Sequence, residues 1–445
     1  MNRRHFLNHT GRLFGGLALS SALGGIRVAQ AEDYKALVCV FLFGGNDGNH
    51  LLIPLDDLGW AEYAAVRTPT SGLHISREKW GQIPGVGQGG RVFGLHPSLV
   101  GLKAAYEARR LAVVANVGPL VQPLTRASYR SGQGRRPEQL FSHLDQQNAW
   151  QSARPLTEAS ASGWGGRLAD ETTELYPSRD GFPMLIDLSG TSLFTRGVRA
   201  PVVAGPASLQ GFGSSASAQA RYAAFRELQT LDTGSTLVRV LNDQTRQGLD
   251  ASLQMRAALA NPVTLTTVFP SGSLSNQLKS VASLIAARQS LGVRRQIFFC
   301  SLGGFDTHSG QLGTQAALLS SLDGALTAFH AATQELGVDG QVTTFTQSDF
   351  GRTFQPTTGG GSDHGWGSHH LVLGGAVAGG SIYGQYPRLV LTGDNDADDE
   401  GRWIPTTGVC EFAAPLVRWF GATKVTGILD GLDNFPKNRT DLSFL

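Results

Sequence analysis

Short, uninterrupted apolar runs alternate along this chain with longer segments in which apolar residues recur at helical spacing. The runs predict six strands, at 36–43, 111–117, 182–188, 296–302, 342–346 and 370–373. The segments at 274–285 and 319–336 carry an apolar residue every three or four positions, which is typical of amphipathic helices. Strands that are apolar throughout are buried on both faces, as in a parallel sheet. The pattern therefore predicts a layered α/β/α core.

One segment, at about 189–261, departs from this alternation. It begins irregular and rich in Gly, Ser and Ala, and then becomes polar and helical. We interpret it as an insertion into a single domain that spans 32–445, and as a candidate cap over the functional site.

The N-terminal residues 1–31 have the features of a twin-arginine signal peptide. Arg3 and Arg4 are followed by apolar residues, no acidic residue precedes Glu32, and AQA just before it matches a small-x-small cleavage site. An ordinary secretory signal is the alternative, and either one takes the mature chain out of the cytoplasm. We therefore expect a periplasmic or secreted protein that meets the twin-arginine translocase during export. The apolar stretch at 13–26 is too short and too rich in Gly to span a bilayer, so no stable membrane anchor is expected.

Composition narrows the class of partner. The whole chain carries 37 basic and 35 acidic residues, and removal of residues 1–31 takes away four arginines, which leaves a formal charge of −2. This near balance argues against nucleic acid or an anionic membrane as partner. Fifty-seven glycines in 445 residues predict many tight turns and close backbone approaches. The three cysteines have no metal-type spacing, and we expect buried free thiols.

An acidic residue follows the end of three of the predicted strands. Asp47, Asp306 and Asp349 each stand just beyond an apolar run. Because ligands of open parallel sheets bind beyond the carboxyl ends of the strands, these carboxylates are expected at one rim. The alternative for Asp47 and for Asp306 is a helix cap, in which the carboxylate accepts from backbone N–H groups. Convergence of all three would indicate a metal centre.

Histidines lie close to two of these carboxylates. His308 follows Asp306 by two residues, and the glycine-rich segment after Asp349 carries His364 and His369. Imidazole nitrogen and carboxylate oxygen both bind Zn²⁺ at roughly 2.0–2.2 Å. We therefore predict these three histidines as metal ligands together with the three aspartates. A structural or outer-sphere role for some of the histidines is the alternative.

Ser142 and Arg352 are the candidate catalytic side chains. Ser142 opens the segment SHLDQQNAW near a predicted helix start, where a hydroxyl can act as a nucleophile or merely cap the helix. Arg352 follows Asp349 by three residues and is suited to bidentate contacts with a tetrahedral oxyanion. An ordinary ion pair with Asp349 is the alternative for this arginine.

A set of motifs resembles a known family. The twin-arginine start is followed, in order, by FLFGGNDG, AVVANVG, SHLDQQNAW, GGFDTHSGQ, SDFGRT, SDHGWGSHHLVLGGAVAGG and RWIPTTGV. This set spans nearly the whole mature chain and resembles a bacterial family catalogued as domain of unknown function 1501, which is placed in the alkaline phosphatase/sulfatase superfamily. The resemblance implies a three-layer α/β/α sandwich with a mostly parallel central sheet. It also implies a site with one or two divalent ions, Zn²⁺, Mn²⁺ or Ca²⁺.

The chemistry that the resemblance implies is hydrolysis of phosphate or sulfate esters, small or linked to a polymer. In the superfamily a Ser, Thr or modified Cys attacks the ester beside the metal, and Ser142 matches this nucleophile only by its order and helix-start position. The superfamily usually has Asp-His where this chain has Asp349-Phe350, which removes an expected ligand. The implied function is an exported metal-dependent hydrolase. The alternatives are an exported binding or assembly protein without turnover, and a single-metal enzyme that uses activated water.

Overall fold

The computed structural model describes residues 33–156, 160–205, 213, 215–231, 234–437 and 442–445. The predicted signal peptide at 1–31 lies outside the described residues. The unit Lys35–Leu445 alternates strands with helices.

The strands are, in chain order, β1 (Lys35–Leu42), β2 (Leu52–Pro54), β3 (Gly81–Pro84), β4 (Val92–Leu95), β5 (Leu111–Gly118), β6 (Leu185–Asp187), β7 (Val202–Ala204), β8 (Arg295–Leu302), β9 (Val342–Ser348), β10 (Ser368–Gly374), β11 (Ile382–Gly384) and β12 (Thr407–Gly408). The α-helices are α1 (Gly48–Leu51), α2 (Asp57–Val66), α3 (Val100–Glu107), α4 (Arg126–Arg130), α5 (His143–Ser152), α6 (Trp164–Thr172), α7 (Ala216–Leu228), α8 (Thr236–Ala258), α9 (Ser273–Ala286), α10 (Gln311–Glu335), α11 (Val409–Phe420) and α12 (Val425–Ile428). Short 3-10 turns stand at Arg77–Lys79, Asp339–Gln341 and Leu432–Asn434.

Nine of the described strands form one sheet, in the order β11-β5-β10-β9-β1-β8-β6-β7, with β12 beside β5. The pairs β1 with β8 and β9, β6 with β7 and β8, and β5 with β11 and β12 are parallel. Only β10 is antiparallel to its two neighbours among these strands. Because β10 alone is reversed, the other strands all end at the same edge. This carboxyl edge is where open α/β sheets bind ligands.

Helices cover both faces of the sheet, because the strands are apolar on both faces. Along β1, the alternate residues Leu37, Cys39 and Phe41 join a buried cluster with Trp150 of α5 and Phe412 of α11. The residues between them are equally buried, on the face where α9 packs against β8 and α10 packs against α9. The result is the predicted α/β/α sandwich with a mostly parallel central sheet.

All six strands predicted from apolar runs are present, as β1, β5, β6, β8, β9 and β10. The two periodic segments form α9 and α10. The strands without a prediction are short. β7, β11 and β12 have three residues or fewer, and the separate antiparallel sheet β2-β4-β3 has strands of three or four. Such strands are too short for periodicity to detect.

The segment 189–261 holds β7, α7 and the long helix α8 among its described residues. Arg226 on α7 pairs with Asp250 on α8 at 2.9 Å, which links the two helices. Although α8 runs for 23 residues, neither it nor any other described helix has the apolar length needed to cross a membrane. The role of this segment as a cap stays a prediction.

Candidate metal centre

The carboxyl ends of β1, β8 and β9 lie side by side and present three loops at one edge of the sheet. Leu42 at the end of β1 is in register with the last residues of β8 and β9, so the loops that carry Asp306 and Asp349 leave the sheet at the same level. Gly44, in the loop after β1, has a φ of 111°. A Cβ at this position would lie 2.4 Å from the backbone nitrogen of Asp306. Glycine is therefore required where these two loops touch.

Three imidazoles surround the carboxylate of Asp306. The Nε2 atoms of His308, His364 and His143 lie 3.0, 3.4 and 3.5 Å from the nearest Asp306 oxygen. The Nε2 atoms of His308 and His364 are only 3.1 Å apart. About half of the Asp306 side chain is exposed, so a small ligand can reach it from solvent. We call these four residues the Asp306 cluster.

Each imidazole of the cluster is fixed by a hydrogen bond at its other nitrogen. The bonds are His143 Nδ1 to Asp349 (2.6 Å), His308 Nδ1 to Asp363 (2.8 Å) and His364 Nδ1 to the carbonyl of Phe141 (2.7 Å). Ionised carboxylates and carbonyls only accept, so each Nδ1 donates its proton to the partner behind the ring and each Nε2 is turned toward Asp306. When the rings are neutral, these Nε2 lone pairs and the carboxylate face one another, which is repulsive unless a cation lies between them. Imidazoles oriented from behind in this way are typical of metal ligands.

Asp349 orients His143 instead of entering the Asp306 cluster. Its buried carboxylate accepts from the backbone N–H of Gly44 at 3.2 Å, from His143, and from Gln147 at 2.9 Å. His143 and Gln147 are four residues apart on α5 and therefore lie on one face of the helix. The hydrogen bond to Asp349 is the main cause that raises the pKa of His143. The structure thus places Asp349 behind the predicted ligand position.

Arg352 pairs with Asp306, not with the acid three residues before it. The buried guanidinium also donates to the carbonyls of Gly44, Gly45 and Ser362, at 2.8, 3.1 and 2.6 Å. Burial alone would raise the pKa of Asp306, but the hydrogen bond and the charge of Arg352 lower it. Arg352 therefore holds three loops together and keeps Asp306 ionised. The predicted contact with an oxyanion would require these bonds to break.

Asp47 lies in a separate, fully buried network. Its Oδ2 is 2.8 Å from Arg67 and accepts from Gln311 at 2.6 Å, and its Oδ1 accepts from both nitrogens of Asn49 at 3.0 Å. Burial alone would raise the pKa of Asp47, but the charge of Arg67 lowers it. Both oxygens are thus engaged by donors away from Asp306. Asp47 accepts from the backbone N–H of Asn49 as the N-cap of α1, as the capping alternative describes, and its role as a metal ligand stays a prediction.

His369 is also separate from the Asp306 cluster. It is buried, its Nδ1 accepts from the backbone N–H of Asn116 at 3.0 Å, and its ring stacks on Tyr386 at 4.7 Å. Burial lowers the pKa of His369 to about 3, so the ring is neutral at physiological pH. These contacts are those of the structural alternative, and the ligand role of His369 stays a prediction.

Acid is expected to destabilise the protein already below about pH 6.5, the ordinary pKa of histidine. Burial lowers the pKa of His50 to about 4, and that of His96, His369 and His370 to about 3. Between these values and pH 6.5 the unfolded chain binds protons that the folded chain does not, so the free energy of unfolding falls as the pH falls. Each such histidine contributes up to about 1.4 kcal/mol per pH unit. Urea denaturation across this range measures the slope, and an equally steep slope in His369→Gln would contradict the assignment.

Ser142 stands immediately before His143, at the N-cap of α5. Within the described part of the chain, its hydroxyl makes no capping hydrogen bond to the helix. Its carbonyl accepts from the N–H of Gln146 at 3.0 Å, which begins the helix regularly. The hydroxyl is therefore not engaged as a helix cap, and the role of Ser142 as a nucleophile stays a prediction.

The motif around His143 carries a signal that the strand-end argument misses. In SHLDQQNAW, His143 and Gln147 are spaced by about one helical turn, so both point to the same side. This spacing, next to a candidate nucleophile, identifies α5 as a wall of the site. Asp363, directly before the predicted ligand His364, was likewise not predicted to orient a second histidine.

Some solved structures have a similar arrangement of strands and helices. PsFucS1 sulfatase from Pseudoalteromonas sp. is 11% identical, over 95% of this chain and 74% of that chain, with a TM-score of 0.34. The C-terminal periplasmic domain of EcEptC from Escherichia coli, in complex with Zn, is 9% identical over 77% and 73% of the two chains, with a TM-score of 0.34. The lipoteichoic acid synthase LtaP from Listeria monocytogenes is 7% identical over 85% and 75%, with a TM-score of 0.31. At these identities and TM-scores the matches say nothing about the activity of this chain.

A family match in sequence is more specific. No curated protein matches the chain. A family model described as "Protein of unknown function (DUF1501)" matches residues 34–399. This range includes the whole Asp306 cluster and the residues that orient its imidazoles. The chain therefore belongs to the DUF1501 family.

Proposed function

We propose that this protein is an exported, metal-dependent hydrolase of phosphate or sulfate esters. The observation that carries the proposal is the convergence of three Nε2 atoms on Asp306, with each ring fixed from behind. The twin-arginine start supports a periplasmic or secreted location, reached through the twin-arginine translocase. The substrate would be a small ester or one linked to a polymer.

The donor set fits a transition-metal cation better than calcium. Imidazole suits Zn²⁺ and other transition metals, and carboxylate oxygen suits Mn²⁺ as well, whereas Ca²⁺ takes oxygen ligands. We therefore propose His143, Asp306 and His364, whose ligand atoms lie within 4.8 Å of one another, as ligands of Zn²⁺ or Mn²⁺, and His308, 3.0 Å from Asp306, as a fourth ligand that moves toward the cation. His143 takes the place that the sequence had assigned to Asp349.

A divalent cation bound there supplies Lewis acidity toward the oxygens of the ester. Asp306, kept ionised by Arg352, would hold the cation between the three imidazoles. Ser142 lies at the N-terminus of α5, where the helix dipole favours an anion and the hydroxyl makes no cap. We propose Ser142 as the nucleophile, with Asp349 holding the ring of His143 in place beside it.

A binding or assembly role without turnover is the second candidate, and Arg352 is the observation that favours it. Its guanidinium donates to three backbone carbonyls and pairs with Asp306. The positive charge that would hold an oxyanion is thus already neutralised. In this case the cluster would hold a cation for recognition alone.

The metal-loaded mature chain is expected to hydrolyse at least one aryl phosphate or aryl sulfate ester. Ser142→Ala should lower kcat by roughly 100-fold or more, the usual range for a group that acts in the chemical step. Release of 4-nitrophenol measures both rates, and Ser131→Ala, at an exposed serine outside the cluster, should leave them unchanged. Bound metal without turnover of any ester would favour the binding role. Undiminished turnover by Ser142→Ala would favour attack by water.

A further inference from the structure

Phe350 fills the space beside two of the proposed ligands. Its ring is fully buried and lies 4.8 Å from the ring of His143 and 4.6 Å from that of His364. On another side, a Cβ at Gly45 would lie 2.5 Å from the ring carbons of Phe350, so the loop after β1 closes tightly over the aromatic ring. The ring offers no donor atom to a cation. This part of the site is therefore apolar and full.

The carboxylates of Asp349 and Asp47 are already engaged in hydrogen bonds or ion pairs. Asp349 accepts hydrogen bonds at both oxygens, from a backbone N–H, from His143 and from Gln147. Asp47 is engaged in its own buried ion pair. Among the described residues, a single group of three or more His, Cys, Asp or Glu side chains has ligand atoms close enough to share a cation, and it consists of His143, Asp306 and His364. A second cation would find its oxygen ligands already hydrogen-bonded.

We propose that the centre holds one divalent cation, not two, and that it takes esters with a single negative charge. The inference rests on the proposed function, because it concerns the same cluster. Its first part follows from the packing of Phe350 and the hydrogen bonds of Asp349. Its second part follows from the charges around a single cation.

The sum of the charges around the cation indicates which class of ester the site can bind. One divalent cation and the guanidinium of Arg352 are balanced by the carboxylates of Asp306, Asp349 and Asp363, and the ligating imidazoles are neutral. With one cation bound, these charges sum to zero. A singly charged ester therefore adds one uncompensated negative charge, and a doubly charged ester adds two.

The next arginine along the rim does not change this balance. Arg402 donates to the carbonyl of His364 at 2.7 Å, but it is paired with Asp398 and, at 2.7 Å, with Glu400. A phosphate monoester with two charges would therefore leave the partly desolvated site with twice the excess negative charge of a singly charged ester, which is more costly. A sulfate monoester or a phosphate diester presents the same tetrahedral oxyanion with one charge. These are the substrates that the site favours.

Titration of the metal-free mature chain with Mn²⁺ tests the first part without any turnover. We expect saturation at one equivalent and the electron paramagnetic resonance signal of an isolated ion. Asp349→Asn should keep that equivalent with an affinity lowered roughly 10- to 100-fold, because this residue only orients His143. Two equivalents with a spin-coupled signal would overturn the inference and leave the proposed function standing. Absence of any bound ion would overturn both.

Calorimetry with the metal-loaded protein tests the second part. At about pH 8, methyl sulfate and dimethyl phosphate carry one negative charge, and monomethyl phosphate carries nearly two because its second pKa is about 6. We expect one of the singly charged anions to bind roughly 10-fold or more tightly than monomethyl phosphate. The tighter of the two identifies a sulfate ester or a phosphate diester as the substrate. Tighter binding of monomethyl phosphate would overturn the assignment.

Discussion

Asp306→Ala is expected to lose the bound cation, with a drop in affinity of more than roughly 100-fold, and to lose turnover with it. Loss of an outer-sphere partner of a metal ligand usually lowers the metal affinity about 10- to 100-fold. Loss of the sole carboxylate ligand should lower it further. Asp306 is also the ion-pair partner of Arg352. Without it, a buried guanidinium adds an uncompensated positive charge beside the cation. Metal analysis by mass spectrometry after dialysis measures the loss.

Asp57→Ala is the matched control for this variant. The Asp57 side chain is almost fully exposed and pairs with Arg77 on the surface at 2.9 Å. Exposed pairs of this kind contribute about 0–1 kcal/mol, so both the cation content and the stability should stay unchanged. A folded Asp306→Ala protein that keeps a full equivalent of metal would show that the cation is held elsewhere.

Asp47→Ala is expected to destabilise the protein by about 3–5 kcal/mol, the cost of leaving a buried charge without its partner. Arg67, which pairs with Asp47 at 2.8 Å, also donates to the carbonyls of Thr353 and Phe354 at 3.2 Å each. The ion pair thus connects the loop after β1 to the loop that carries Arg352. Urea denaturation of the metal-free variant and the metal-free parent at neutral pH measures the difference.

The double variant Asp47→Ala/Arg67→Met should recover part of this loss, because no unpaired charge remains. The pH dependence has a defined sign. Burial opposes ionisation of Asp47, but the charge of Arg67 lowers its pKa. The pair therefore stabilises the fold above the ordinary carboxyl pKa of about 3.9 and loses this effect as the pH falls through the lowered value. If Asp47→Ala lost its cation while the metal-free protein kept its full stability, Asp47 would be a ligand after all.

The sequence was sufficient to predict the layered α/β/α arrangement of the fold. Uninterrupted apolar runs mark strands that are buried on both faces, and β1, β8 and β9 lie where the runs place them. The direction of β10 could not be predicted. It is as apolar as its parallel neighbours, and its reversal depends on the irregular loop at 349–367, for which hydropathy carries no signal.

The sequence predicted where the site lies better than it predicted which side chains are its ligands. A strand end fixes the edge at which Asp306 lies, and the two-residue spacing to His308 brings both to one loop. Which donors reach a carboxylate depends on distant segments. Arg67, directly after α2, pairs with Asp47. His143 and Gln147 on α5 donate hydrogen bonds to Asp349. Such pairings become visible only when the chain is folded.

An anomalous-difference map at the zinc absorption edge, from crystals of the Zn²⁺-loaded mature chain, is the most direct test of the Asp306 cluster. We predict one peak, within about 2.0–2.2 Å of the Nε2 atoms of His143, His308 and His364 and of a carboxylate oxygen of Asp306. A peak beside Asp47 or His369, or an Asp306 cluster without a peak at full zinc occupancy, would contradict the assignment.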